Sequence, residues 1–121
     1  MNITTSILTT TVYGTANGNY DGSSQDWASD PVKAANYYRG QGGLQTIIFS
    51  LIGFEGIVHI EATLDSDPAE ATWFETFVYG DGSSIPITDY HPENILGNFV
   101  WVRARVSGFD GGTINYINIT Y

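Results

Sequence analysis

The chain has 121 residues and no cysteine, and its 13 acidic residues outnumber its 4 Lys and Arg for a formal charge of −9. Disulfide scaffolds, Cys-ligated zinc and cysteine nucleophiles are therefore excluded. With only Lys33, Arg39, Arg103 and Arg105 to neutralise phosphates, nucleic acid and anionic membrane are excluded as partners. The length fits one domain that buries about two-thirds of its unfolded surface, so a core forms without staples.

Residues 1–43 are rich in Thr, Ser, Asn and Gly. Met1 is followed by Asn2-Ile3-Thr4-Thr5-Ser6, with no basic or long apolar run, so no export signal is expected. One apolar alternation covers 3–13, and 14–24 is built of turn dipeptides. This N-terminal arm and loop region either completes the sandwich or docks on a neighbour. Ile3, Ile7, Leu8 and Val12 are the apolar residues that a strand added to another sheet needs.

Residues 44–121 form the β-sandwich core. Positions 45–52 are apolar on both faces and predict a central strand. Over 57–64, Val58, Ile60, Ala62 and Leu64 alternate with His59, Glu61 and Thr63. Pro68–Ala71 predicts a turn, after which Trp73 and Phe74 are expected to anchor the core. Residues 80–97 carry turn chemistry, with Pro86 and Pro92 arguing against a central strand or helix. Over 98–106, Val100, Val102, Ala104 and Val106 face inward, and Phe99, Trp101, Arg103 and Arg105 outward. Gly53-Phe54-Glu55-Gly56 and Gly108-Phe109-Asp110-Gly111 read as two equivalent hairpin connections, each Phe folding back to plug the core. No segment holds a helical period. The expected fold is all-β: an antiparallel, jelly-roll-like β-sandwich with a partly irregular N-terminal arm.

The run from Gly53 to Leu64 with Trp73-Phe74, and the ending Gly97 to Val106 with Gly111-Gly112-Thr113-Ile114, carry a family likeness. They resemble small β-sandwich virion proteins of tailed phages, of the contractile-tailed kind that infects marine cyanobacteria. The likeness covers residues 40–121. The last strands also resemble those of galactose-binding-like jelly rolls, in which an aromatic-Val-x-Val-Arg strand precedes a Gly turn. The resemblance implies a structural protein localised to the virion, with other virion proteins as partners. Fibre segment, tail or neck attachment, and capsid decoration are all compatible with it.

Chemistry-bearing residues are few. There is no Gly-x-Ser-x-Gly elbow and no His-Glu-x-x-His, and neither His59 nor His91 has a nucleophile and orienting group legible beside it. The expectation is a non-enzyme, with a small glycan hydrolase as a weak third reading. Asp65, Asp67 and Asp81 are candidate oxygen ligands for a structural calcium ion, with Asp89 and Glu93 in reserve. Asp beside Ser, Gly or Pro is equally what a turn demands. No other cofactor is expected.

Trp101, Arg103 and Arg105 share an outward face, as does His59 on its own strand. Trp and Arg are typical anchors, and two cations in an acidic chain read as an interface with the acid-rich surface of an identical subunit. A homo-oligomer is expected. Trp27, Tyr37, Tyr38 and Tyr90 are candidate rings for a host surface glycan, the basis of the alternative reading as a carbohydrate-binding module. Their other reading is core or subunit packing.

Overall fold

A computed structural model describes residues 3–38, 43–83 and 85–121. The described residues form one antiparallel sheet of eight strands with no α-helix, so the fold is all-β as the periodicities predict. Thr4–Leu8 (β1), Thr11–Val12 (β2), Trp27–Ala28 (β3) and Val32–Lys33 (β4) come first. Leu44–Thr63 (β5), Phe74–Tyr79 (β6), Ile87–Leu96 (β7) and Trp101–Thr120 (β8) follow. The two 20-residue strands, β5 and β8, pair with each other along their lengths. β1 to β4 all line the free edge of β8 in the same chain, and β6 and β7 line that of β5.

The sheet bends in the middle of its two long strands. The β5–β8 ladder slips between Ile52 and Ile57, with Glu55 opposite Gly111. The two Gly-Phe-acid-Gly motifs therefore lie inside continuous strands, which corrects the hairpin expectation. A hairpin would pair the residues flanking each motif with one another; here they pair with the other long strand. Glycine serves the bend rather than a reversal. At Gly112, φ is +82°, and a Cβ there would run into the carbonyl of Gly53, so the two bends nest backbone against backbone. Phe54 and Phe109 do plug the core. Both are fully buried, with ring centroids 5.7 Å apart.

The corner divides the sheet into two halves that close on each other. One holds β3, β4, β6 and the stretches 57–63 and 101–107; the other holds β1, β2, β7 and the stretches 44–52 and 111–120. Val58, Ile60, Ala62, Val102, Ala104 and Val106 supply the first inner face. Ile47, Phe49, Leu51, Ile114, Ile117 and Ile119 supply the second. Phe49 stacks on Tyr79 at 5.2 Å and meets Phe77 at 5.7 Å, joining the two faces. The result is a sandwich made by folding one sheet over.

Three local expectations change. Ile87–Leu96 is a ten-residue strand despite Pro92, because among the described residues β7 pairs only with β5 and its other edge needs no N–H. The turn at Pro68–Glu70 is a 3-10 turn, as placed, with Asp67 Oδ1 accepting from the Ala69 amide at 3.0 Å. Trp73, however, lies outside over Arg103 and does not anchor the core, while Phe74 stays partly exposed. Phe99 precedes β8, and its ring is buried inside.

Candidate interaction faces

The outer side of the first half is a ladder of charge. Cross-strand register sets Trp101 between Thr63 and Lys33, Arg103 opposite Glu61, and Arg105 opposite His59. Residues opposite one another share a face, so these side chains all point outward, as the sequence alternation predicts. Arg103 Nε donates to Glu61 Oε1 at 2.8 Å, and Arg105 Nε donates to Glu61 Oε2 at 3.1 Å. Arg105 Nη2 also donates to Glu75 Oε1 at 3.2 Å, and Arg103 stacks 4.4 Å from the Trp73 ring centroid. Glu61 is nearly buried beneath them. Burial pushes its carboxyl up, but the hydrogen bonds and charges of Arg103 and Arg105 outweigh that and leave it below its ordinary 4.5.

Within the chain, two glutamates match Arg103 and Arg105, because the register places Glu61 across from Arg103. His59 is also engaged. Its Nδ1 lies 2.5 Å from Glu75 Oε1 and its Nε2 lies 2.8 Å from Ser107 Oγ. Hydroxyl, imidazole and carboxylate thus stand in the order that nucleophilic catalysis uses. The amide that follows the serine, Gly108 N–H, donates to Asp26 Oδ1 at 3.0 Å and is not free to stabilise an oxyanion. Ser107 continues the alternation of 101–105, whereas Glu75 reaches this face only through the bulge between Ile60 and Glu61 in the β5–β6 ladder.

Among the described residues, the outer side of the second half is uncharged. Its rows run Leu44–Leu96; Thr4–Thr120–Thr46–Asn94; Ser6–Asn118–Ile48–Pro92; Tyr116–Ser50–Tyr90; and Val12–Thr113–Ile52. None of the acidic residues and none of the described bases is among them. Thr46 Oγ1 donates to Asn94 Oδ1 at 2.7 Å, and the Thr4 and Thr120 hydroxyls meet at 2.9 Å. Tyr90 and Tyr116 meet edge to face at 6.5 Å. A hydrogen bond with Tyr90, then burial, raises the Tyr116 hydroxyl above its ordinary 10.0. Leu44, Ile52, Tyr90 and Leu96 are 55–77% exposed on this face.

β7 achieves this by alternation. Tyr90, Pro92, Asn94 and Leu96 lie outward, while Asp89, His91 and Glu93 take the opposite parity. On that side Asp89 accepts from the Tyr79 hydroxyl, and burial followed by this contact pushes Tyr79 up to about 12. His91 stacks parallel to Phe77, with its Nε2 3.1 Å from Glu93 Oε1.

The candidate glycan rings are scattered. Trp27 is buried against Tyr20 and Phe109 and offers no open ring face, which corrects its placement among them. Tyr90 belongs to the uncharged face. Tyr37 and Tyr38 are exposed beside Lys33, whose Nζ lies 4.5 Å and 5.7 Å from their ring centroids. Tyr37 also packs edge-on against Trp101 at 5.2 Å, and Trp101 Nε1 donates to the Ser66 carbonyl at 3.0 Å. Arg39 lies outside the described residues.

The calcium candidates serve their own turns. Asp65 Oδ2 accepts from the Thr72 amide at 2.8 Å, Asp67 caps its 3-10 turn, and Asp81 Oδ1 accepts from the Ser83 amide at 2.9 Å. That last bond lowers the Asp81 carboxyl from its ordinary 3.8. Among the described residues no three His, Asp or Glu converge as a metal site. Comparison with known protein families finds no matching family model, and comparison with curated proteins finds no match.

Proposed function

We propose that the chain is a non-enzymatic attachment or decoration module of a phage virion, assembling on capsid, tail or fibre. The virion setting rests on the resemblance carried by residues 40–121. The observation that supports attachment through a surface is the uncharged outer face, which exposes Leu44, Ile52, Tyr90 and Leu96 on a chain of net charge −9. Quantitative mass spectrometry of purified particles tests it. A fixed copy number per particle is expected, and recovery only from the unassembled fraction of the lysate overturns it. Labelling of Ser107 by a fluorophosphonate would overturn the non-enzymatic part.

The alternative, a module for host surface glycan, draws on the exposed pair Tyr37 and Tyr38 beside Lys33. Glycan-array binding that disappears in Tyr37→Ala with Tyr38→Ala favours it over the structural reading.

A further inference from the structure

From the distribution of charge over the folded sheet, we infer that the uncharged outer face is a self-association surface, and that its occupant is the same face of a second copy. The inference rests on the attachment reading and gives that surface its partner. Two chains of charge −9 repel, so they meet most readily through a surface that carries no charge. The opposite outer face is the poorer candidate: Arg103 and Arg105 are already matched by Glu61 and Glu75, and a partner acid would have to displace them. A basic foreign partner would be drawn to the acidic loops rather than to this face.

Size and shape agree with a pair. Four strands about 4.8 Å apart and about nine residues long, at about 3.3 Å per residue, cover roughly 550 Å² per copy. Two copies together exceed the roughly 1,000 Å² that a specific interface needs. A two-fold contact places each residue against its own surroundings in the partner, so one uncharged face satisfies both sides. Sheets facing each other pack about 10 Å apart when their side chains interdigitate. Leu44, Leu96, Ile48 and Ile52 supply the apolar contact, while Tyr90 and Tyr116 supply broad rings with hydroxyls at the rim.

Sedimentation equilibrium on the full chain tests this directly. The wild type is expected at twice 13.2 kDa, and more so in high salt, which screens the −9 repulsion. Leu96→Glu combined with Ile52→Glu should weaken dimerisation by roughly 100-fold, because each charge enters a two-fold interface twice. Both side chains are exposed, so thermal melting monitored by circular dichroism should remain cooperative. Val78→Glu, on the opposite outer face, should leave the mass unchanged. A wild type that stays monomeric in high salt overturns the inference, as does a dimer that survives the double variant. Particle association by a monomeric wild type would also overturn it while leaving the attachment reading intact.

Discussion

The same pair of long strands presents two different surfaces to solvent. Along the first half of β8 the outward positions are Trp101, which bonds the Ser66 carbonyl, and Arg103, Arg105 and Ser107, tied to Glu61, Glu75 and His59 on the neighbouring strands. Along the second half they are Tyr116, Asn118 and Thr120, set among Ser50, Ile48 and Thr46. The charged half is held by partners within the chain, so its polar groups are spent on the fold. The uncharged half has few internal bonds to lose and much apolar area to cover. The difference teaches that conspicuous residues mark where the fold is fastened, while the quieter surface leaves its large apolar side chains uncovered.

The largest expected effect breaks both faces together. Phe109 packs at the corner against Phe54, Tyr20 and Trp27, so Phe109→Ala should cost about 3–5 kcal/mol in denaturant unfolding. If the halves were independent, one would survive and the transition would split in two. Next comes Glu61→Gln, which strips Arg103 and Arg105 of their shared carboxylate. A loss of about 1–3 kcal/mol is expected, with no change in dimer mass. An effect on mass instead would move the interface to the charged face.

Acid should act on the charged half in the same direction. The folded-state pKa of Glu61 lies below its unfolded value, so its stabilisation is fully present above about pH 4.5 and is lost as pH falls through the folded value. Asp21, held at about 2 first by the Ser24 hydroxyl and then by the Ser23 and Ser24 amides, extends the loss to lower pH. Melting temperature should drop on acidification below about pH 4.5, and the drop should be shallower in Glu61→Gln. The smallest effect belongs to the uncharged face. Thr46→Ala removes one exposed hydrogen bond to Asn94 and should change stability by less than about 1 kcal/mol.

Much of the architecture was legible in local pattern. The alternation over 57–64 and 98–106 named the inner residues Val58, Ile60, Val102 and Ala104, and it placed Trp101, Arg103, Arg105 and His59 on one side. It could not show that Glu75 would meet Arg105 and His59, because that depends on the β5–β6 register and its bulge. Pro92 concealed β7, since a proline forbids a central strand but is harmless at an edge, and edges are defined only once partners are known. The uncharged face is illegible in local pattern for the same reason. Its rows draw on β1, β2, β5, β7 and β8, and no single strand displays it.

The sequence by itself determined the all-β class and the inward sense of Val58, Ile60, Ala62, Val102, Ala104 and Val106 in the long strands, because a side-chain period of two is a property of one strand. It also determined that Phe54 and Phe109 go inside. Only the tertiary structure decided whether the Gly-Phe-acid-Gly motifs turn the chain back or merely bend it, because both outcomes use the same glycine freedom and differ only in which strand lies alongside. The counter-charges that Arg103 and Arg105 meet within the chain were decided there too. A charge finds its counter-charge through register between strands, and register is a relation between distant segments that no single stretch of sequence carries.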